Sequence, residues 1–99
     1  MGYINNHVNV YNTCLRIMRS RGYKLRVDGE LDQEELIKPG SLIWYAEKGR
    51  FSAMAENPLE LLGLTSIYEF KMPTTDESYW WVVEGEDIFN ELMEKAFLE

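Results

Sequence analysis

The chain has 99 residues, 45% of them apolar, and a formal net charge of −7. This length and composition predict one globular domain with its own core. The single cysteine excludes an internal disulfide and a multi-cysteine zinc site, and no apolar run approaches the roughly 20 residues that span a bilayer.

The charge is distributed unevenly along the chain. Residues 1–29 carry five basic side chains and one acidic one, whereas residues 30–99 carry five basic and sixteen acidic side chains. An acidic field attracts basic partners and repels nucleic acid, although surface acidity also serves solubility alone. The lone cysteine and the lack of a secretory signal at the N-terminus favour a cytoplasmic protein, and we expect no cofactor, metal or membrane partner.

The first element is predicted to be an amphipathic helix that begins after Asn5 or Asn6 and stops at Gly22. Its apolar residues recur at helical spacing, with Cys14 beside them: Ile4, Val8, Tyr11, Leu15 and Met18. Alternating residues then predict a strand over 23–27 and a turn at Asp28-Gly29. Residues 30–41 fit either one helical turn, capped by Asp32, or a loop.

The segment 41–56 alternates in the manner of a β-hairpin, with its turn at Lys48-Gly49. Small side chains at 53 and 55 leave room for a helix to lie across the return strand. That helix has a strong start signal in Asn57, Pro58 and Glu60.

The helix that follows Asn57 is apolar nearly all round up to Phe70, with a narrow polar arc at Thr65, Ser66 and Glu69. A helix of this kind is usually buried, so the sequence predicts the central packing helix of the domain. We expect Gly63 to allow a close approach of another backbone, which would offset its low helix propensity.

After a loop, SYWWVVEG alternates as a short strand over 79–83, and an amphipathic helix follows from about Asp87. The apolar residues of this last helix are expected to face inward: Ile88, Phe89, Leu92, Met93, Ala96 and Phe97. The predicted fold class is α+β, with a mostly antiparallel sheet of about four strands and helices packed on it. The predicted order is helix, strand, hairpin, helix, strand, helix.

Catalytic signatures are weak in this chain. The glycines lie singly, so no phosphate-binding loop is present. His7 and Cys14 are two helical turns, about 10 Å, apart, which is too far for a nucleophile and its base on one helix. Neighbouring acids such as Glu34-Glu35 and Asp76-Glu77 flank turns, where solvation explains them without a catalytic role. We therefore predict no catalytic residues.

Two groups of side chains are candidates for binding. Trp80 and Trp81 would point to opposite faces of a strand, so one of them would be exposed unless both faces are covered. Tyr45 and Ile43 would extend that patch. A basic patch is formed by Arg16, Arg19, Lys24 and Arg26, which could contact phosphates, acidic parts of the same chain, or a second copy.

The leading hypothesis is a small, non-catalytic protein-interaction domain that binds a basic partner or self-associates. In charge and size the chain resembles immunity proteins that neutralise basic toxins, and its WYAEKGRFSA hairpin with an NPLELLGL helix is similar to small bacterial α+β domains. The resemblance implies a bacterial protein but no activity. The alternative is a small-molecule binding or enzymatic domain with a pocket between sheet and helix. The third hypothesis, nucleic-acid binding through residues 16–26, is opposed by the overall acidity.

Overall fold

The computed structural model describes residues 2–5 and 7–97 and contains three helices and a three-stranded antiparallel sheet. The α+β class is therefore confirmed. The elements are α1 (Val8–Ser20), β1 (Lys24–Asp28), β2 (Ile43–Lys48), β3 (Phe51–Ala55), α2 (Pro58–Lys71) and α3 (Ile88–Phe97).

The sheet has the strand order β1-β2-β3, and its register separates two faces. Side chains directly opposite one another share a face, because the side-chain period of a strand is two. The inner face carries Leu25, Val27, Trp44, Ala46, Ala53 and Ala55, and the outer face carries Arg26, Ile43, Tyr45 and Met54. The hairpin is as predicted, with its turn one residue later, at Gly49-Arg50.

Helix α1 lies over the inner face and against α2. It begins at Val8, after His7, whose Nδ1 accepts a hydrogen bond from the Asn9 amide at 3.2 Å. The predicted start at Asn5 is wrong because the His7 ring provides the cap, and Asn6 lies outside the described residues. Ile4 precedes the helix and is exposed, and the buried side chains of α1 are Cys14 and Met18.

Helix α2 begins as the sequence predicts, since the Asn57 side chain accepts from the Glu60 amide at 2.8 Å. It packs on β2 and β3 over Ala53 and Ala55, and Leu61 is fully buried. The predicted wet arc is displaced, however. Thr65 is fully buried because its hydroxyl donates to the Leu62 carbonyl, which satisfies it inside the helix.

The outer side of α2 is apolar and partly exposed, which corrects the prediction of burial nearly all round. Leu64 and Ile67 are 38% and 39% exposed, and Phe70 is exposed as well. Gly63 has no atom within 4 Å of a Cβ built on it, so the predicted close backbone approach is wrong. A three-stranded sheet covers only one side of the helix.

Residues 79–83 do not form a strand, so the predicted fourth strand is wrong. Tyr79 adopts a left-handed conformation with φ 58°, and the Val82 amide donates to the Tyr79 carbonyl at 3.1 Å, closing a turn. Lys71 Nζ donates to the Val82 carbonyl at 2.9 Å and ties this turn to the end of α2. The segment 30–41 is a loop, pinned by Asp32, whose carboxylate accepts from the amides of Glu34 and Leu36.

Helix α3 has the predicted position but not the predicted packing. Asp87 caps it, accepting from the Asn90 amide at 3.0 Å. None of its residues is buried, and the large apolar side chains are between 44% and 77% exposed. The expectation that they face inward is wrong for the single chain, because the inner face of the sheet is already occupied by α1 and α2.

The core is correspondingly small. The buried hydrophobic residues are Cys14, Met18, Tyr23, Ala46 and Leu61. The radius of gyration is 16.8 Å, against about 13 Å for a compact domain of 100 residues. The molecule is thus a small α+β body, formed by α1, α2 and the sheet, from which α3 projects.

Candidate functional site

An aromatic stack holds the turn at residues 78–81 against the body. The rings of Phe51 and Tyr68 lie parallel at 4.1 Å, and Trp80 meets both edge-on at 6.1 Å. Phe51 also contacts Tyr23 edge-on at 6.3 Å. Trp80 is therefore half-buried and joins β3 to the C-terminal half of α2, which is a structural position.

Trp81 occupies a different environment from its neighbour. It is 49% exposed, and its ring packs edge-on against the rings of Trp80 and Tyr79, with centroid distances of 5.9 and 5.5 Å. It forms one side of an open groove of about 350 Å³ between the turn and α2. The groove is lined by Phe51, Ser52, Leu64, Ile67, Trp80 and Trp81. We call it the Trp81 groove.

The segment that contributes the two tryptophans to this groove is acidic, and Asp76 and Glu77 line a depression next to Trp80 and Trp81. Between Glu69 and Lys95 the chain carries eight acidic and two basic side chains, a net charge of −6. Within the described region, one of these acids is neutralised by an ion pair, Glu69 with Arg21 at 3.0 Å. The Trp81 groove is thus an apolar depression beside an acidic segment.

Glu69 also receives a hydrogen bond from the buried Tyr23 hydroxyl at 3.0 Å. Burial raises the pKa of Tyr23 well above its usual range, and the hydrogen bond to Glu69 raises it further. This phenol is consequently a neutral donor that holds α2 to the start of β1. It has a structural role at physiological pH.

The structure does not bring the four predicted binding residues together. Tyr45 and Ile43 lie on the outer face of the sheet and are half-buried, whereas Trp80 and Trp81 lie beside α2 and the inner face. The sequence argument placed them on one sheet, and the absence of a fourth strand removes that link. Tyr45 is also covered, because the Arg26 guanidinium lies 3.7 Å from its ring centroid.

The basic patch is divided as well. Arg26 pairs with Asp28 at 2.6 Å and Glu47 at 3.5 Å, and the hydrogen bond to Asp28 is the main cause of its raised pKa. Lys24, on the same outer face, stands opposite Glu47. Arg16 and Arg19 are exposed on α1, and within the described ranges neither has a carboxylate within 4 Å.

Arg16 and Arg19 border a second groove, between α1 and the sheet. It measures about 380 Å³ and is lined by Asn12, Leu15, Arg16, Arg19, Leu25, Arg26, Val27 and Trp44. We call it the α1–β1 groove. Val27 is 43% exposed in its floor, and Leu15, Leu25 and Trp44 are half-buried. The charge pattern indicated the arginines, but the apolar floor follows only from the register of β1 with β2.

Cys14 is 1% exposed, as the sequence predicted, and burial raises the pKa of its thiol. A buried neutral thiol is a poor nucleophile. The His7 ring caps α1, because its Nδ1 accepts a hydrogen bond from the Asn9 amide. Among residues 2–5 and 7–97, no group of three or more His, Cys, Asp and Glu side chains has the arrangement of a metal site.

The exposed apolar residues of α2 and α3 were missed by sequence reasoning, because helical periodicity shows which residues share a face and not what covers that face.

No helix in the described part of the chain is long and apolar enough to cross a membrane. No protein-family model, curated protein or solved structure matches the chain.

Proposed function

We propose that the protein is a non-catalytic protein-interaction domain that binds a basic protein segment in the Trp81 groove. The observation that carries the proposal is an apolar groove with a half-exposed tryptophan, beside a chain segment, residues 69–95, whose net charge is −6. Tryptophan is among the residues most enriched at binding hot spots. The surrounding acids would steer a basic partner and exclude acidic ones.

The lining of the groove favours a protein side chain over a small polar ligand. Among the lining residues, the polar side-chain groups are the Ser52 hydroxyl and the indole N–H groups of Trp80 and Trp81, and the rest of the lining is apolar. Small-molecule sites combine apolar walls with several placed polar groups that orient the ligand. An apolar side chain of a partner, flanked by lysine or arginine, matches both the walls and the rim.

The structure gives less support to nucleic-acid binding through residues 16–26 than the sequence alone does. Arg26 is engaged with two carboxylates and Arg21 with a third, so two of the five cations in this segment are already paired. Phosphate binding depends on releasing counterions from unpaired cations. The remaining three cations belong to a molecule with a net charge of −7, whose overall field repels nucleic acid.

The test is affinity capture from extracts of the source cells with wild type, Trp81→Ser and the matched control Met54→Ser. Met54 is 64% exposed on the outer face of the sheet, so its substitution removes an exposed apolar side chain away from the groove. We expect a basic protein to be recovered by wild type and control. Loss of a hot-spot tryptophan costs about 2 kcal/mol or more, so Trp81→Ser should bind roughly 30-fold more weakly.

Two further observations decide the result. Thermal unfolding of Trp81→Ser should match wild type closely, whereas Trp80→Ala should lose several kcal/mol, because Trp80 belongs to the aromatic stack. Association with the captured protein should slow markedly as salt rises. A partner retained equally by Trp81→Ser, or an association rate independent of salt, would refute the proposal.

A further inference from the structure

A second depression adjoins the Trp81 groove, and the two share Trp80 and Trp81. It is shallow and open and measures about 380 Å³. Its lining consists of Asp76, Glu77, Ser78, Tyr79, Trp80 and Trp81. We call it the Tyr79 depression. A partner segment that places one side chain in the Trp81 groove therefore has a neighbouring side chain within reach of this depression.

Two of the aromatic rings in the lining form a corner. The ring planes of Tyr79 and Trp81 meet at 62°, with their centroids 5.5 Å apart. Both rings keep free surface, since Tyr79 is 71% and Trp81 49% exposed. Two rings at a steep angle leave ring faces bordering the space between them. Aromatic faces carry the negative part of the ring quadrupole and attract cations.

Asp76 and Glu77 bring two carboxylates to the same depression. Among residues 2–5 and 7–97, neither carboxylate has a lysine, arginine or histidine nitrogen within 4 Å. Within the same ranges, no lysine or arginine lies over the ring of Tyr79 or Trp81. The depression thus combines negative charge with ring faces, and the described part of the chain supplies no cation to it.

The outer face of the sheet shows which cation suits such a combination. There the Arg26 guanidinium lies 3.7 Å from the ring centroid of Tyr45 and pairs with Asp28 at 2.6 Å and Glu47 at 3.5 Å. A guanidinium is planar, so it can lie on a ring while its N–H groups reach carboxylates at the rim. The Tyr79 depression offers the same chemistry, rings and two carboxylates, to an arginine from outside the chain.

The turn that carries the depression is held in place without a ligand. The Val82 amide donates to the Tyr79 carbonyl at 3.1 Å, and Lys71 Nζ donates to the Val82 carbonyl at 2.9 Å. Trp80 is anchored by its edge-on contacts in the aromatic stack. A preorganised site loses less conformational entropy when it binds, which favours affinity.

We propose that the Tyr79 depression binds an arginine side chain of the basic partner. The guanidinium lies against Tyr79 and Trp81, and its N–H groups donate to the carboxylates of Asp76 and Glu77. A lysine ammonium binds more weakly there, because it cannot lie flat on a ring and reach two carboxylates at once. This inference rests on the proposed function, since it names the basic residue that accompanies the apolar side chain in the Trp81 groove.

Two dipeptides test the proposal, N-acetyl-leucyl-arginine amide and N-acetyl-leucyl-citrulline amide. Citrulline keeps the length and planarity of arginine but has no charge, so the pair isolates the charge of the guanidinium. Each peptide is titrated into isotopically labelled protein and followed by NMR through the amides of residues 76–79 and the indole N–H of Trp81. We expect saturable binding of the arginine peptide, roughly tenfold tighter than that of the citrulline peptide, from exposed cation–π and ion-pair contacts.

Three variants locate the site. D76N/E77Q should lose most of the preference for arginine over citrulline. Tyr79→Leu should lose about threefold of it, because one ring is removed that does not line the Trp81 groove. The matched control E34Q/E35Q removes the same charge from the loop between β1 and β2 and should keep the wild-type preference. All five side chains are exposed, so thermal unfolding should be unchanged in each variant.

Equal binding of the two peptides by wild type, or no saturable binding of the arginine peptide, would overturn the proposal. An equal loss of preference in D76N/E77Q and E34Q/E35Q would overturn it too, because overall acidity would then attract the arginine. These failures leave the proposed function standing, since its test varies Trp81 and asks whether a basic protein is captured. Conversely, arginine preference without Trp81-dependent capture would support the arginine site and refute the proposed function.

Discussion

Gly63 lies in the middle of α2 on a side that no described residue covers. A Cβ at this position meets no atom within 4 Å, and the backbone is helical. The glycine therefore has only its entropic cost, which is about 1 kcal/mol relative to alanine in a helix interior. Sequence reasoning expected a packing contact, but the exposed side of α2 supplies none.

Gly63→Ala should raise the free energy of unfolding by about 1 kcal/mol and the melting temperature by roughly 4–8 °C, measured by thermal and urea denaturation. Gly49→Ala is the matched control: it also adds a methyl group in open space, but at φ 59°, where a Cβ costs about 1–2 kcal/mol. It should destabilise the protein. Destabilisation by Gly63→Ala would show that another surface covers this side of α2.

At the scale of elements, the sequence predicted those parts whose signals are local. Asn57, Pro58 and Glu60 define the start of α2 through hydrogen bonds within a single turn. The hairpin pattern and its turn signal at Lys48-Gly49 predicted β2 and β3. The packing of each face was harder to predict, since it depends on how many strands form the sheet.

The predicted strand at 79–83 shows that limit clearly. The run of β-favouring apolar residues predicts a strand, but Trp80 instead packs edge-on against Phe51 and Tyr68. The turn at Tyr79 then follows. Of the residues in the candidate site, the sequence predicted Trp81 as a binding residue. It did not predict Leu64 and Ile67, because their exposure follows from the absence of a strand over this side of α2.

Removal of the two helix caps should have unequal effects. Asn57→Ala should lower global stability by about 1 kcal/mol, because α2 packs on the sheet and its fraying exposes Leu61. Asp87→Ala removes an equivalent cap from α3, which has no buried residue. In dilute solution it should reduce helix content by circular dichroism without shifting the main unfolding transition. An equal loss of stability in both variants would mean that α3 belongs to the core.

At the scale of the whole molecule, the described chain buries few hydrophobic side chains for its length and exposes many. Its radius of gyration of 16.8 Å, against about 13 Å for a compact domain, reflects the projection of α3. Extensive exposed apolar surface is a solubility hazard unless it is covered in use. The net charge of −7 offsets that hazard while the surface is free. The proportions of the molecule thus favour a protein that works by association.

Amide hydrogen exchange in dilute solution tests most directly whether α3 is a surface helix that packs on no other part of the domain. The amides of α1 and α2 should exchange only when the whole domain unfolds. The amides of α3 should exchange as fast as those of a fraying peptide helix. Protection of α3 equal to that of α2 in the dilute monomer would contradict this view, because the helix would then be part of the fold.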